Sequence, residues 1–300
     1  MAFDHHFQLR PAGQCRKDLF QRRLRVRPDS AGIHVEIDAV DDCGAALAKR
    51  LAADGCHLAL SDVNEAGLAA TATDIRDRAP SCRVTTTHVD VANRSAVHAW
   101  ADATADELGG VNLIFNNAGV ALGSTVESAD YADLEWIINI NLWGVIHGSR
   151  LFARQMIDGH RKGHIVNVAS AAAFAPNRKL TAYSTSKAAV HMLSECLRAE
   201  LAEHHIGVSS ICPGFVATGI ANSTVYAGLS DEQQAEKRAK ADALYKRRNF
   251  SPDQVAAAIF DAVQSNPALS LVGAEAWTTR LLSRFAPVLS RQVARLDITA

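Results

Sequence analysis

The sequence lacks several features that would each point to a particular class of protein. Its six cysteines include no Cys-x-x-Cys pair, which argues against a disulfide scaffold and suits a reducing cytosol. No apolar run is long enough to cross a membrane or to form a signal-peptide core. The formal net charge is −1, so the whole chain offers no electrostatic case for nucleic acid. These absences predict a cytoplasmic protein without a transmembrane segment.

The charge is nevertheless uneven along the chain. Residues 1–30 carry seven basic residues against three acidic ones. We expect a basic, poorly ordered N-terminal extension there. The total of 300 residues then fits one large domain, and residues 31–275 would form it.

Five short apolar runs each end in a small, polar or acidic residue, and helical patterns lie between most of them. The runs are Cys56–Leu60, Val84–Val89, Val111–Phe115, Gly163–Ala169 and Ile206–Cys212. This alternation predicts an α/β fold with a parallel sheet. In such sheets ligands bind outside the carboxyl ends of the strands, where the polar residues lie.

A tyrosine, Tyr183, stands four residues before a lysine, Lys187, and a serine, Ser170, ends the strand upstream. Residues four apart share one face of a helix, so the phenol and the ammonium would point into the same space. A cation beside a phenol favours the phenolate and lowers the pKa of the tyrosine. The pair could therefore move a proton to or from an oxygen atom. Tyr-x-x-x-Lys is weak evidence without the motifs around it.

Several further motifs follow one another at a consistent spacing. They are Asn116-Asn117-Ala118-Gly119, Asn141, Ser170, Tyr183 with Lys187, and Pro213-Gly214 followed by Thr218. With these motifs the chain resembles the classical short-chain dehydrogenase/reductases, from about Gly44 to Thr218 and more loosely beyond. The resemblance implies a Rossmann fold, that is, a doubly wound parallel sheet in a single domain with a helical substrate lid at about residues 220–250.

The resemblance also implies roles for individual residues. Tyr183 would be the general acid/base, Lys187 would lower its pKa and hold the nicotinamide ribose, and Ser170 would orient the substrate oxygen. Asn141 would hold a water molecule that links Lys187 to solvent. The remaining implied cofactor contacts are Asp90 and Val91 at the adenine, Asn117 and Gly119 at the ribose and backbone, and Pro213, Gly214, Val216 and Thr218 at the nicotinamide.

Asp62 bears on the choice between NAD and NADP. A carboxylate at the end of the second strand can accept hydrogen bonds from both adenosine ribose hydroxyls and would repel a 2′-phosphate. No arginine follows it directly. This favours NAD as the cofactor and makes NADP the less favoured one. The alternative is that Asp62 only caps the next helix.

The chain departs from the family pattern before Gly44, which falls on the third glycine of the family's glycine-rich turn and is the one pyrophosphate contact that the resemblance implies here. Asp38 and Asp42 occupy the first two glycine positions, and with Asp41 they would place three carboxylates where a pyrophosphate normally meets bare backbone amides. The strand Ile33–Ile37 alternates instead of being continuously apolar, and a buried Glu36 would need a partner. Either the cofactor turn has diverged, or this segment comes from an altered reading frame or a wrong start.

Two segments near the C-terminus bear on the substrate. The charged stretch Asp231–Arg248 would form the lid, with Ala235, Ala239, Leu244 and Tyr245 as its apolar stripe, or would be a solvated helix. Phe174, Phe215 and Tyr226 could line an apolar pocket or belong to the core. Residues 276–300 read as an amphipathic tail with interleaved arginines, which could pack within the protein or its oligomer or lie on a membrane surface.

Residues 133–156 and 183–204 read as long helices with apolar residues around much of their circumference. The resemblance implies that these helices pack subunit against subunit in a homodimer or homotetramer. The pairs His204-His205 and His160/His164 lack the spacing of metal ligands, so no metal is expected.

The sequence therefore predicts an NAD(H)-dependent oxidoreductase that interconverts a secondary alcohol and a ketone, with an apolar small-molecule alcohol or ketone as its partner. The alternative is a non-catalytic relative that serves as an interaction or scaffold protein, because the acidic turn would impair cofactor binding.

Overall fold

The computed structural model describes residues 34–38, 42–248 and 250–296, with residues 34–38 and 248 described by their backbone. The predicted N-terminal extension and Asp41 lie outside the described residues, as do the side chains of Glu36 and Asp38. Of the three acidic side chains of the turn, that of Asp42 is the one that the structure describes.

Seven parallel strands form one sheet in the order β3-β2-β1-β4-β6-β7-β9 within the described part of the chain. The strands are β1 His34–Asp38, β2 His57–Asp62, β3 Val84–His88, β4 Leu113–Asn116, β6 Gly163–Val168, β7 Ile206–Pro213 and β9 Leu269–Val272. Two short strands, β5 (Leu122–Gly123) and β8 (Val225–Tyr226), pair separately. The strand order reverses between β1 and β4, which confirms the predicted doubly wound sheet.

The first strand occupies the centre of the sheet in spite of its alternating sequence. Its backbone pairs with β2 from His34 to Asp38 and with β4 at Val35, Glu36 and Ile37. Pairing on both sides overrides the weak apolar signal, because local β propensity yields to tertiary context.

Helices cover both faces of the sheet. They are α1 Asp42–Ala53, α2 Glu65–Arg78, α3 Arg94–Leu108, α4 Tyr131–Ile138, α5 Val145–Asp158, α6 Thr181–Glu200, α7 Ile220–Ser223, α8 Asp231–Arg248, α9 Pro252–Ser265, α10 Ala274–Phe285 and α11 Pro287–Val293. Successive residues of β4 point to opposite faces: Phe115 packs with α1, α2 and α9, whereas Ile114 packs with α3 and α5. Within the described residues, no helix has both the length and the apolar character needed to cross a bilayer.

The helix predicted over residues 133–156 is interrupted. A π-helical turn, Asn139–Gly144, separates α4 from α5. A Cβ at Gly144 would stand 2.8 Å from a methyl carbon of Val91, so the missing side chain lets α5 approach the loop after β3. π-turns of this kind often mark functional sites, and this one carries Asn141.

A buried network of amides and hydroxyls joins the ends of β4 and β6 to two helices. Asn116 donates to Asn167 at 2.7 Å and to Ser149 of α5 at 3.0 Å. Asn167 donates in turn to Ser194 of α6 at 3.0 Å. Each side chain of the network has a partner within it, so the network fixes the positions of α5 and α6.

Gly148 tests this network, because a Cβ there would collide with the side-chain oxygen of Asn116. We expect Gly148→Ala to lower the free energy of unfolding by about 1–3 kcal/mol, as overpacking does in a close-packed core. Urea titration followed by circular dichroism measures the change. Gly219→Ala is the control, since a Cβ at Gly219 meets nothing within 4 Å. Equal stability of the two variants would show that the network is dispensable.

Candidate active site

A cavity of about 1190 Å³ lies at the carboxyl edge of the sheet. All but two of the residues that the sequence predicts for the site line it, namely Asp62, Asp90, Val91, Asn117, Gly119, Ser170, Tyr183, Lys187, Pro213, Gly214, Val216 and Thr218. The exceptions are Asn141, which is buried behind the wall, and Gly44, which is buried within α1.

Ser170 and Tyr183 come together at the wall of this cavity. Ser170 follows β6 and caps a single 3-10 turn, where its hydroxyl accepts from the amide of Ala172 at 3.1 Å. Tyr183 lies in the first turn of α6 and shares a hydrogen bond with the Ser170 side chain. Two hydroxyl groups on different elements therefore meet where a ligand oxygen could join them.

Burial raises the pKa of Tyr183, the hydrogen bond from Ser170 opposes the rise, and the neighbouring Cys212 adds to it. The sequence predicts a lowered pKa for Tyr183, and this prediction is wrong. The sequence reveals a cation four residues away but not how deeply the phenol is buried. In this structure desolvation has the largest effect on this pKa, and Ser170 and Cys212 supply the smaller ones.

The ammonium of Lys187 is held at the junction of two strand ends. The side chain is 3% exposed, and its Nζ donates to the carbonyl of Val168 at 3.0 Å. A Cβ at Gly119 would stand 3.1 Å from that Nζ, so a residue without a side chain lets the loop after β4 approach the amine closely.

The buried side chain of Asn141 is hydrogen-bonded to the backbone of the same loop. Its side-chain oxygen accepts from the amide of Val120 at 2.8 Å, and its amide nitrogen donates to the carbonyl of Val120 at 2.9 Å and to Ser186 at 3.1 Å. The side chain thus serves to join the loop to α6. The water-holding role implied by the family resemblance stays a prediction.

The two strand-end aspartates have similar local structures. Asp62 accepts from the amide of Asn64 at 2.9 Å, and Asp90 accepts from the amide of Ala92 at 2.9 Å. Asn64 is the residue that caps α2, by accepting from the amide of Gly67 at 3.1 Å. The interpretation of Asp62 as a helix cap is therefore wrong, because the chain extends two residues further before α2 begins.

Asp42 stands at the N-terminus of α1, on the rim of the cavity. Its carboxylate accepts from the backbone amide of Gly219 at 3.1 Å. A carboxylate thus occupies a position that suits an anion, since the first turn of a helix presents unpaired amides and positive potential.

Helix α8 borders the other side of the cavity. Lys237, Lys240, Leu244 and Tyr245 line it, whereas Ala235 and Ala239 are exposed. The predicted apolar stripe is thus right for Leu244 and Tyr245 and wrong for Ala235 and Ala239. A helix with so few apolar residues does not reveal from its sequence which side faces the cavity. The rings of Tyr245 and Phe215 lie 5.2 Å apart.

The three aromatic residues divide between the two alternatives that the sequence leaves open. Phe215 and Tyr226 line the cavity. Phe174 instead belongs to the core, where its ring packs against His191 and under the guanidinium of Arg280. Leu282 and Val293 of the C-terminal helices also line the cavity, a position that their amphipathic pattern alone does not reveal.

No group of three possible metal ligands occurs among the described histidine, cysteine, aspartate and glutamate residues. His204 and His205 lie exposed at the end of the single 3-10 turn that follows α6.

Comparison with known proteins decides the family. The family model described as short chain dehydrogenase matches residues 39–227. The chain belongs to the short-chain dehydrogenase family. A solved short-chain dehydrogenase/reductase from Burkholderia phymatum, in complex with NAD, is 32% identical, with a TM-score of 0.78 over 86% of this chain and 95% of that one.

Two curated relatives show how the chain compares in length. The "Probable oxidoreductase EphD" of Mycobacterium tuberculosis is 35% identical over 85% of this chain but 43% of its own length, so the chain spans less than half of that relative. The 1-deoxy-11-beta-hydroxypentalenate dehydrogenase of Streptomyces avermitilis is 29% identical over 91% of this chain and 94% of its own.

Short-chain dehydrogenases bind a nicotinamide cofactor, and most of the described site fits one. The space that Gly119 leaves open beside the Lys187 amine would be filled by a Cβ, and hydroxyl, amide and carboxylate groups line one continuous cavity. Asp42 is the described residue that fits poorly, because its charge lies where the pyrophosphate of this family meets a helix N-terminus.

We expect Asp42→Asn to tighten NADH binding. The amide keeps an acceptor for Gly219 but removes the negative charge, and one charge at an exposed site is worth about 1 kcal/mol, or a three- to tenfold lower Kd. Titration of NADH followed by nicotinamide fluorescence gives the Kd. Glu65→Gln, in the first turn of α2, is the matched control and should leave the Kd unchanged. An unchanged Kd in Asp42→Asn would show that this carboxylate does not oppose the cofactor.

Proposed function

We propose that the protein is an NAD(H)-dependent oxidoreductase that interconverts a secondary alcohol and a ketone. The observation that carries this proposal is the hydrogen-bonded pair of Ser170 and Tyr183 at the cavity wall, with the buried amine of Lys187 one helical turn beyond Tyr183. Three groups that can handle an oxygen and its proton thus border one space large enough for a dinucleotide and a substrate.

The proton transfer belongs to Tyr183. In the reductive direction its phenol donates a proton to the substrate oxygen, and in the oxidative direction the phenolate accepts the hydroxyl proton. A nicotinamide cofactor held in this cavity would supply or accept the hydride. Because burial raises the pKa of Tyr183, the phenol carries its proton at neutral pH, which is the form that carbonyl reduction needs.

Ser170 and Lys187 assist in different ways. The Ser170 hydroxyl can donate to the substrate oxygen and so stabilise the charge that develops there. In this proposal the ammonium of Lys187 would favour the phenolate form of Tyr183 and would hold the nicotinamide ribose. Asn141 fixes the loop that includes Gly119 and so keeps the ribose side of the cavity in place.

Asp62 supports NAD as the cofactor. Its carboxylate lies at the end of β2 on the cavity wall, and Val63 and Asn64 follow it where an NADP-binding chain would carry a cation. Hydroxyl groups of an adenosine ribose suit such an acceptor, and a 2′-phosphate does not. The Burkholderia phymatum relative, whose structure contains NAD, is consistent with this choice.

The cavity favours an apolar substrate with few polar groups. Phe215, Leu244, Tyr245 and Leu282 provide apolar surface beside the Ser170 and Tyr183 hydroxyls. Buried hydroxyls of Ser124 and Ser184, which find no partner among the described residues, offer additional points for a polar substituent. The Streptomyces avermitilis relative is named as the dehydrogenase of a hydroxylated compound, which agrees with an alcohol substrate.

Two secondary proposals concern the setting of the enzyme. A homodimer or homotetramer would cover Trp143 and Met192, which are exposed on the long helical segments. A reducing cytoplasm would suit cysteines that lie scattered in the sequence.

A non-catalytic role is the alternative that Asp42 favours, because its carboxylate competes with an anionic cofactor. The NADH titration separates the two functions: saturable binding supports the oxidoreductase, and its absence at millimolar NADH supports a scaffold.

Tyr183→Phe should remove most of the turnover, because the variant keeps the ring but cannot exchange a proton. General acid–base catalysis is worth about 10²- to 10⁴-fold, so kcat should fall by that factor while the Kd for NADH stays the same. Tyr245→Phe is the control, since it makes the same change at another tyrosine that lines the cavity. Turnover near the wild-type value in Tyr183→Phe would reject the assignment.

Asp62→Ser should weaken the discrimination against NADP. Removing the charge removes the repulsion of a 2′-phosphate, so the ratio of kcat/KM for NAD to that for NADP should fall by about tenfold or more. Glu65→Gln removes a nearby acidic charge on the same loop and helix, and should leave the ratio unchanged. A wild-type protein that prefers NADP would contradict the proposed cofactor at once.

A further inference from the structure

The two C-terminal helices carry a row of apolar side chains on their outer surface. We name it the C-terminal stripe: Trp277, Leu281, Phe285, Val288 and Leu289. Each of these side chains is exposed, and Phe285 is 73% exposed. Trp277, Leu281 and Phe285 follow one another at intervals of four, which places them on one face of α10. The stripe continues onto α11 and is larger than the scattered apolar residues of an ordinary surface.

Positive charge accompanies the stripe. Four arginines and no acidic residue lie between residues 276 and 296, although the whole chain has a net charge of −1. Arg284, Arg291 and Arg295 are exposed. Exposed Arg178 adds a fourth charge, because its backbone amide and guanidinium bind the carbonyls of Ala294 and Arg295.

This combination of groups restricts what can cover the stripe. A second copy of the same surface would bring two arginine clusters together, and like charges at an interface are strongly unfavourable. Residues 1–30 are themselves basic, so they are poorly suited to cover it. The complementary partner is anionic and presents apolar material at the same place.

We propose that the C-terminal stripe docks the protein on an anionic lipid surface. Tryptophan, phenylalanine and leucine would enter the boundary of the headgroups and acyl chains, and the arginines would meet lipid phosphates. The protein would thus lie on the membrane rather than span it.

The docking surface is continuous with the proposed substrate cavity. The inner side of the same two helices contributes Thr278, Thr279, Leu282 and Val293 to the cavity wall. Docking through the stripe would therefore place the cavity beside the lipid phase, where an apolar alcohol or ketone partitions. This link to the substrate rests on the proposed function, whereas the docking itself does not.

Co-sedimentation of the full chain with vesicles tests the docking without any assay of activity. The two vesicle types are phosphatidylcholine, and phosphatidylcholine with about one third phosphatidylglycerol. We expect binding to the anionic vesicles, weaker binding as salt is raised, and little binding to the neutral ones. Equal binding to both types, or to neither, overturns the proposal.

Paired variants assign the binding to the stripe. Phe285→Ser with Leu289→Ser, and separately Arg284→Gln with Arg291→Gln, should each lower the partition coefficient by about tenfold or more. Val126→Ser with Tyr131→Ser, and Arg150→Gln with Arg154→Gln, remove equally exposed groups elsewhere and should leave it unchanged. Thermal unfolding by circular dichroism verifies that each variant is folded.

Sedimentation equilibrium of the Phe285→Ser, Leu289→Ser variant gives an independent readout. An unchanged mass supports the lipid assignment. A lower mass than that of the wild type would show that a second copy covers the stripe and would overturn the proposal. In the vesicle experiment, an equal loss of binding in the stripe variants and in their controls would also overturn it.

Discussion

The geometry of the site depends on how α6 is fixed against the end of β6. The Lys187 ammonium donates to the carbonyl of Val168, and seven residues further on Ser194 accepts from Asn167 of the same strand. Two such bonds on one helix leave it little freedom to rotate or slide. A hydrogen bond from a charged group contributes about 1.5–3 kcal/mol, more than most neutral bonds. Since Tyr183 lies one turn before Lys187, the position of its phenol follows from the attachment of the amine.

The opposite end of the cavity is governed by a conflict between local and functional electrostatics. An acidic residue in the first turn stabilises a helix, so Asp42 suits α1 as an isolated element. The same carboxylate reaches across to the amide of Gly219 and joins α1 to the segment that leads into α7. It therefore helps to fix the structure at this end of the cavity, and it would reduce the attraction of this end for the pyrophosphate of the proposed cofactor. The negative charge that stabilises α1 is thus the charge that would oppose an anionic cofactor, and the proposed chemistry at Tyr183 needs that cofactor to bind.

The sequence is informative about elements whose residue types report their surroundings directly. Buried strands such as β4 read as apolar runs, and the polar residues that end them mark the edge where ligands bind. The central position of β1 was hidden, because its alternating pattern resembles a half-exposed strand and only its pairing with β2 and β4 reveals its place. The π-turn at Asn141 was hidden because apolar residues surround much of this helical segment, so the change of face that one extra residue causes leaves no visible break in the pattern.

Features that depend on depth could not be predicted from residue types. The spacing of Tyr183 and Lys187 indicates that a cation is near the phenol, but the direction of the pKa shift depends on how far the ring is removed from water. The faces of α8 were misjudged because lysines, whose long stems cover apolar surface, line the cavity while small alanines face solvent. At Tyr183 and along α8 alike, the environment of a side chain depends on how far the fold removes it from water. A substrate that fills the cavity would exclude more water, which would strengthen the effect of the Ser170 hydroxyl on the phenol. The groups that the sequence names thus become effective only in the low-dielectric space that the fold and the substrate create together.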